Sequence, residues 1–202
     1  MNQPAYRQAL TEYIRSQAKP PDKFSHQARL YRLACQLAEG DAYDDEVLFA
    51  GVWLHDLGVF IGHRPEEPAA LAVWDHVIYG MKRAPEILKG FGFPARKIPS
   101  VVEIIRTHLP SGEPTCFEGL LLRDADLLEQ MGATGILRTI SKVGRDTRFV
   151  SFADALRTLK RNAETLEAQL RLASARPLAQ ERLGTLRAFL EAAETEADGV
   201  PW

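Results

Sequence analysis

Cysteine is scarce in this sequence of 202 residues, which contains only Cys35 and Cys116. Two cysteines without a motif spacing are too few for a disulfide framework or for a zinc site built from thiolates. Neither sign of charge is in large excess, because the sequence has 25 basic and 27 acidic residues and a net charge of -2. The sequence lacks the excess of positive charge that is typical of proteins that bind the phosphates of nucleic acids, so we expect no nucleic-acid partner.

Long hydrophobic runs are also missing. The most apolar stretch, Val47 to Gly62, is interrupted by His55 and Asp56, which argues against a membrane span. The first residues lack the basic start and the continuous apolar segment of a signal peptide. We therefore expect a cytoplasmic protein that has no membrane partner.

Strand-like alternation of apolar and polar residues is absent over any useful length. Apolar residues recur instead at the spacing of amphipathic helices. With the usual helix length, the sequence predicts an all-α protein of about seven to nine helices. One of these is a long helix from about Glu67 to Lys89, with His76 in its middle.

Histidines on apolar helical faces are the most informative feature of the sequence. His55 and Asp56 end the apolar helical run VLFAGVWLHDLG, where a buried imidazole beside a buried carboxylate needs a metal or a hydrogen-bond partner. His26, His76 and His108 also fall on helical faces at spacings that point them inward. Asp126 is an acid on an otherwise leucine-rich helix.

These four histidines and two aspartates would suffice for two transition metals with Asp56 as a bridge. Imidazole and carboxylate ligands suit iron, manganese, cobalt, zinc or nickel better than magnesium or calcium. Such a pair activates water near neutral pH and stabilises the attacking and leaving oxygens of a phosphoryl transfer. The pattern therefore predicts metal-assisted hydrolysis.

The order His26, then His55 and Asp56, then Asp126 resembles the HD-domain metal-dependent phosphohydrolases. The matching segments are HQARLYRLACQLA, WLHDLG and EGLLLRDADLLEQMGATGI. The resemblance implies one compact multi-helix HD-domain bundle over residues 1–202, with a metal-site core at about 22–135 and C-terminal packing helices at about 136–197. It also implies that His26, His55, Asp56 and Asp126 coordinate one metal, and that His76 and His108 correspond to the two additional histidines of dinuclear members.

Several alternatives stay open at this stage. The resemblance favours Asp126 over Asp124 as the ligand, and the reverse assignment is the alternative. Hydrogen bonding at helix ends is the simpler role for His76 and His108. His63 lies in a polar loop, which predicts a solvated side chain. Arg29 and Arg83 are candidate phosphate-binding residues by their helical spacing from His26 and His76, with surface salt bridges as the simpler role.

The leading functional hypothesis is a phosphohydrolase that acts on a nucleotide or another small phosphate ester. One or two divalent transition metals, of an identity the sequence leaves open, would hold the nucleophilic water, and Asp56 would ligate and orient it. The first alternative is a mixed-valent diiron oxygenase related to inositol oxygenase, because similar His-Asp sets serve that chemistry. The second is a non-catalytic nucleotide-sensing HD domain. A homodimer through the amphipathic C-terminal helix is a further possibility.

Overall fold

The structure, a computed structural model, describes residues 4–146 and 148–202. Over these ranges it contains ten α-helices and no β-strand, which confirms the all-α fold class. The helices are α1 Ala5–Gln17, α2 Phe24–Leu37, α3 Asp45–Leu54, α4 Pro68–Ala72, α5 His76–Gly90, α6 Ile98–Thr107, α7 Phe117–Glu129, α8 Gly132–Ile140, α9 Phe152–Thr165 and α10 Ala175–Ala197.

The helix expected from Glu67 to Lys89 is two helices, so this prediction was wrong. Helix α4 ends at Ala72 and α5 begins at His76. Asp75 causes the new start, because its carboxylate accepts hydrogen bonds from the backbone N–H groups of Val77 (2.8 Å) and Ile78 (3.0 Å). His76 therefore occupies the first position of a helix, and the split accounts for the count of ten instead of seven to nine.

Contacts between backbone positions divide the chain into two compact units, Met1–Arg123 and Asp124–Trp202, with the boundary inside α7. Each unit is described by itself below. The organisation of residues 1–202 as a single domain stays a prediction.

Helix α3 lies at the centre of the first unit and packs against α1, α2 and α6. All eight residues from Val47 to Leu54 are buried, as expected for a helix that neighbours surround on several sides. Asp44 caps the N-terminus of α3, because its side chain accepts hydrogen bonds from the backbone N–H groups of Glu46 and Val47. Gly51 permits the close approach of α6, because a Cβ atom at this position would lie 2.1 Å from the Ile104 Cδ1 atom.

The second unit contains α8, α9 and α10, which pack against one another. Ser151 and Asp154 form a capping box at the start of α9. Leu159, Leu183 and Leu186 are fully buried and form part of the core of this unit. In the described ranges, none of the helices is both long enough and apolar enough to cross a membrane.

Candidate metal centre

Three of the candidate ligands stand at helix ends in the first unit. His55 directly follows α3, His108 directly follows α6, and His76 opens α5. His26 lies in the first turn of α2. Each side chain is thus carried by an element whose apolar face packs in the core, which restricts where the ring can point.

His55 and His108 are oriented by the same local hydrogen bond. The Nδ1 atom of His55 donates to the carbonyl oxygen of Val52 (2.9 Å), and that of His108 donates to the carbonyl oxygen of Ile105 (2.7 Å). Since a carbonyl can only accept, Nδ1 is the donor in both rings, which leaves Nε2 as the nitrogen that can ligate a metal. Helix-end hydrogen bonding therefore exists at His108 and is compatible with metal ligation through Nε2.

The carboxylate of Asp56 lies among the histidines. Its Oδ2 atom lies 3.6 Å from Nε2 of His55 and 3.9 Å from Nε2 of His26. Its Oδ1 atom lies 3.6 Å from Nε2 of His76. These separations are too long for hydrogen bonds. The two oxygens thus face different histidines.

Two groups of potential ligands share Asp56. In each group the ligand atoms lie within 4.8 Å of one another: the first is His26, His55 and Asp56, and the second is Asp56, His76 and His108. The rings of His55 and His108 also approach to 4.9 Å between centroids, which brings the two groups together. The structure therefore unites five of the six predicted ligands.

The histidines strongly affect the ionisation of Asp56. Burial raises the pKa of its carboxyl, but the charges of His55, His76, His26 and His108 outweigh burial and hold the pKa well below its ordinary value. Asp56 is therefore a carboxylate, whose two oxygens can each accept a cation.

The donor set fits a transition metal. The Nε2 atom of His55 is buried and makes no hydrogen bond within the described part of the chain. A fully buried imidazole nitrogen without a hydrogen-bond partner normally costs free energy. A divalent cation between His55 and Asp56 would give this nitrogen a partner and compensate the carboxylate charge.

Asp124 and Asp126 belong to the second unit. Oδ2 of Asp124 accepts hydrogen bonds from the backbone N–H groups of Arg171 (2.8 Å) and Leu172 (2.7 Å). This buried carboxylate therefore stabilises the segment that precedes α10. Oδ2 of Asp126 accepts a hydrogen bond of 3.3 Å from Nε2 of Gln130. The hydrogen bonds of Asp124 favour Asp126 as the ligand of the pair, and this assignment stays a prediction.

The two candidate phosphate-binding arginines make local contacts. Nη1 of Arg29 donates to Oγ of Ser25 (2.9 Å), and Nη1 of Arg83 forms an ion pair with Oε2 of Glu86 (2.7 Å). Both contacts lie within single helices and leave the arginines at least partly exposed. Their role in substrate binding stays a prediction.

His63 is half-buried and held on both sides, so the expectation of a solvated side chain was wrong. Its Nδ1 atom accepts from the Tyr79 hydroxyl (2.8 Å), and its Nε2 atom donates to Oε1 of Gln17 (2.8 Å). The loop that follows Asp56 is thereby tied to α1 and α5. The polar sequence around His63 gave no signal of these partners, which lie 46 and 16 positions away.

Comparisons with known proteins identify the family of the chain. A family model described as "HD domain" matches residues 24–131, which include all six predicted ligands. Among curated proteins, none matches this chain.

Solved structures resemble nearly the whole chain. Bacillus subtilis YpgQ is 20% identical, with 97% of each chain covered and a TM-score of 0.74. An HD-superfamily hydrolase from Bacillus thuringiensis is also 20% identical, covers 96% of this chain and 97% of its own, and gives a TM-score of 0.68. A predicted HD superfamily hydrolase from an uncultured Thermotogales bacterium is 23% identical, with 94% and 91% covered and a TM-score of 0.64. At these identities the likeness establishes the fold.

Proposed function

Because the chain belongs to the HD-domain family, we propose that it is a metal-dependent phosphohydrolase that acts on a nucleotide or another small phosphate ester. One observation carries the proposal: two groups of ligand atoms share the carboxylate of Asp56, each within 4.8 Å. Two cations held by these groups would meet the requirement of phosphoryl transfer, in which an attacking and a leaving oxygen both need stabilisation.

The proposed metal ligands are His26, His55, Asp56 and Asp126 for one ion, and Asp56, His76 and His108 for a second. When bound, a divalent iron, manganese, cobalt, nickel or zinc ion supplies a nucleophile by lowering the pKa of water and acts as a Lewis acid on phosphoryl oxygens.

The chain supplies orientation and charge. The carbonyls of Val52 and Ile105 fix the imidazoles of His55 and His108, so that each presents its Nε2 atom to the site. Asp56 stays ionised, because the surrounding histidines keep its pKa low. We assign Asp56 the catalytic role of orienting the attacking water. It is also the ligand that the two groups share.

A nucleotide is the favoured kind of substrate. One structure of Bacillus subtilis YpgQ, which is 20% identical to this chain with a TM-score of 0.72, is in complex with ADP. In the present chain, Arg29 lies one helical turn from His26 and Arg83 lies two turns from His76, which suits charge-assisted hydrogen bonds to phosphate oxygens.

Elemental analysis of the purified protein and a screen of phosphate esters with Mn²⁺, Fe²⁺, Co²⁺, Ni²⁺ and Zn²⁺ test the proposal. We expect phosphate or pyrophosphate release that requires an added transition metal. Two bound irons with oxygen consumption would instead identify an oxygenase, and nucleotide binding without turnover would identify a sensor. Either result would overturn the hydrolase assignment.

The Asp56→Asn variant locates the activity at this site. It keeps the shape of the side chain and removes its charge, so turnover and the affinity for both metals should fall by about 100-fold or more. Asp41→Asn is the matched control, because Asp41 is exposed, and it should behave as the wild type. Unchanged turnover in Asp56→Asn would place the chemistry elsewhere.

A further inference from the structure

Arg123 is among the largest fully buried side chains of the described residues, with only 2% of its surface exposed. Arginine is rarely buried to this degree unless its charge is compensated, because its guanidinium stays protonated and loses strong hydration. A buried arginine near the end of the first unit therefore requires a structural or functional reason.

One partner of Arg123 lies in the segment that carries His108. The Nη2 atom donates to the carbonyl oxygen of Pro110 at 2.8 Å, two residues beyond His108. A hydrogen bond from a charged donor is roughly twice as strong as a neutral one.

The segment held by Arg123 is a tight turn. The backbone N–H of Gly112 donates to the carbonyl oxygen of Leu109 (2.8 Å), which closes the turn around Pro110. Gly112 also folds back onto α6, because a Cβ atom at this position would lie only 2.2 Å from the carbonyl oxygen of Thr107. The turn is therefore packed against the last residue of α6 on one side and bonded to Arg123 on the other.

We propose that Arg123 is a positioning residue for the second metal: it holds the turn Leu109–Gly112 and so keeps the backbone of His108 in place. The Ile105 carbonyl sets the rotation of the His108 ring. The tethered turn fixes the end of α6 from which the ring projects, and with it the distance between His108 and His76, whose ring centroids lie 5.7 Å apart. This proposal rests on the two-metal arrangement proposed above.

Calorimetric titration of the metal-free protein with Mn²⁺ tests the role of Arg123 without any substrate, so it can succeed even if the phosphohydrolase assignment fails. The wild type should bind two ions. In Arg123→Met, which keeps bulk but removes every donor, we expect the Kd of the second ion to rise about 10- to 100-fold, as for other residues that support a ligand. The Kd of the first ion should stay unchanged.

Two further variants complete the test. Arg123→Lys retains charge and a donor on a shorter stem and should restore part of the second-ion affinity. Arg106→Met is the matched control: Arg106 lies on α6, pairs with Glu103 at the surface and should leave both ions unaffected. If Arg123→Met does not fold, Arg123→Lys decides the question: relative to the wild type, its Kd for the second ion should rise by less than about 10-fold while its Kd for the first ion stays unchanged.

Three results would overturn the proposal. Equal weakening of both ions would show a merely structural role for Arg123. Two ions bound with wild-type affinity in Arg123→Met would show that the turn needs no tether. A wild type that binds a single Mn²⁺ ion would remove the second-metal function itself.

Discussion

Gly58 lies directly against the backbone of His76: a Cβ atom on Gly58 would stand 2.9 Å from both the Cα atom and the carbonyl oxygen of His76. The contact is reinforced by Trp74, whose indole N–H donates to the carbonyl oxygen of Gly58 at 2.8 Å. The turn that follows Asp56 and the start of α5 thus fit together without room for a side chain. This fit places His76 beside Asp56.

Substitution of Gly58 by alanine should displace His76. The new methyl group meets backbone atoms that cannot rotate away, so we expect a loss of about 1–3 kcal/mol in the free energy of unfolding and weaker binding of the second metal. Thermal unfolding and Mn²⁺ titration measure the two effects. Gly90→Ala is the control, because a Cβ atom there has no neighbour within 4 Å, and it should be neutral or slightly stabilising. Unchanged unfolding and metal binding in Gly58→Ala would contradict the close fit.

Removal of metal should lower the thermal stability of the protein. Ions that bind only the folded state add RT ln(1 + [L]/Kd), which is about 2.7 kcal/mol at a concentration of 100 Kd. For a chain of this length that corresponds to a Tm increase of roughly 5–10 °C. We expect chelation to abolish the increase and Mn²⁺ to restore it. Mg²⁺ should restore little, because imidazole ligands disfavour it, and equal rescue by Mg²⁺ would contradict a histidine-rich site.

Lys97 should make the stability of the first unit depend on acid pH. It forms ion pairs with Asp44 (2.7 Å) and Glu46 (2.6 Å). Burial raises the pKa of Asp44, but the hydrogen bond from Lys97 and the backbone bonds at the start of α3 outweigh it. The hydrogen bond from Lys97 is the main cause of the lowered pKa of Glu46. Both folded-state pKa values thus lie below the ordinary 3.8 and 4.5.

A carboxylate with a lowered pKa stabilises the fold above its ordinary pKa and loses that contribution as the pH falls through the folded-state value. The wild type should therefore lose stability below about pH 5, and Lys97→Met should flatten this loss. Since these groups are partly exposed, the difference at neutral pH should be about 0.5–1 kcal/mol. Denaturant unfolding from pH 3 to pH 7 measures it, with the exposed Lys82→Met as control. Identical profiles for Lys97→Met and the wild type would show that the ion pairs contribute nothing.

His63 should oppose stability at mildly acid pH. Burial and the positive charges of Arg83 and Lys19 lower its pKa below the ordinary 6.5. The unfolded chain then binds a proton that the folded one does not, so stability falls as the pH drops from about 7 toward 5. His63→Gln lacks this titration and should show a shallower decline over the same window. The difference between the two slopes should vanish above pH 7.5, and equal slopes below pH 7 would contradict a neutral, held imidazole.

Helical periodicity predicted correctly that His26, His55 and His108 are buried. Each histidine at 26, 55 and 108 follows an apolar stripe, and a stripe determines which way a helix faces. That information is local, so it can be extracted from the sequence alone. The resemblance to HD-domain proteins was needed to assign the candidate ligands to a first and a second metal.

Specific hydrogen bonds, local and long-range, explain what the periodicity of the sequence did not predict. The start of α5 depends on the cap by Asp75, although the surrounding apolar residues continue a helical pattern. The partners of His63 and the burial of Arg123 arise from packing against Gln17, Tyr79 and Pro110, none of which has a sequence spacing that signals the contact. Only a tertiary structure shows these contacts.

The hydrogen bonds from His55 to Val52 and from His108 to Ile105 have a consequence for how the chain can vary. Both imidazoles are aimed by a carbonyl of their own helix, three positions earlier. Insertions or deletions in the surface loops between the helices therefore leave the direction of these rings unchanged, and loops tolerate such changes well. Loops other than the turns at Gly58 and at Leu109–Gly112 are free to differ in length and composition, while the direction of these two rings stays encoded in two short helical turns.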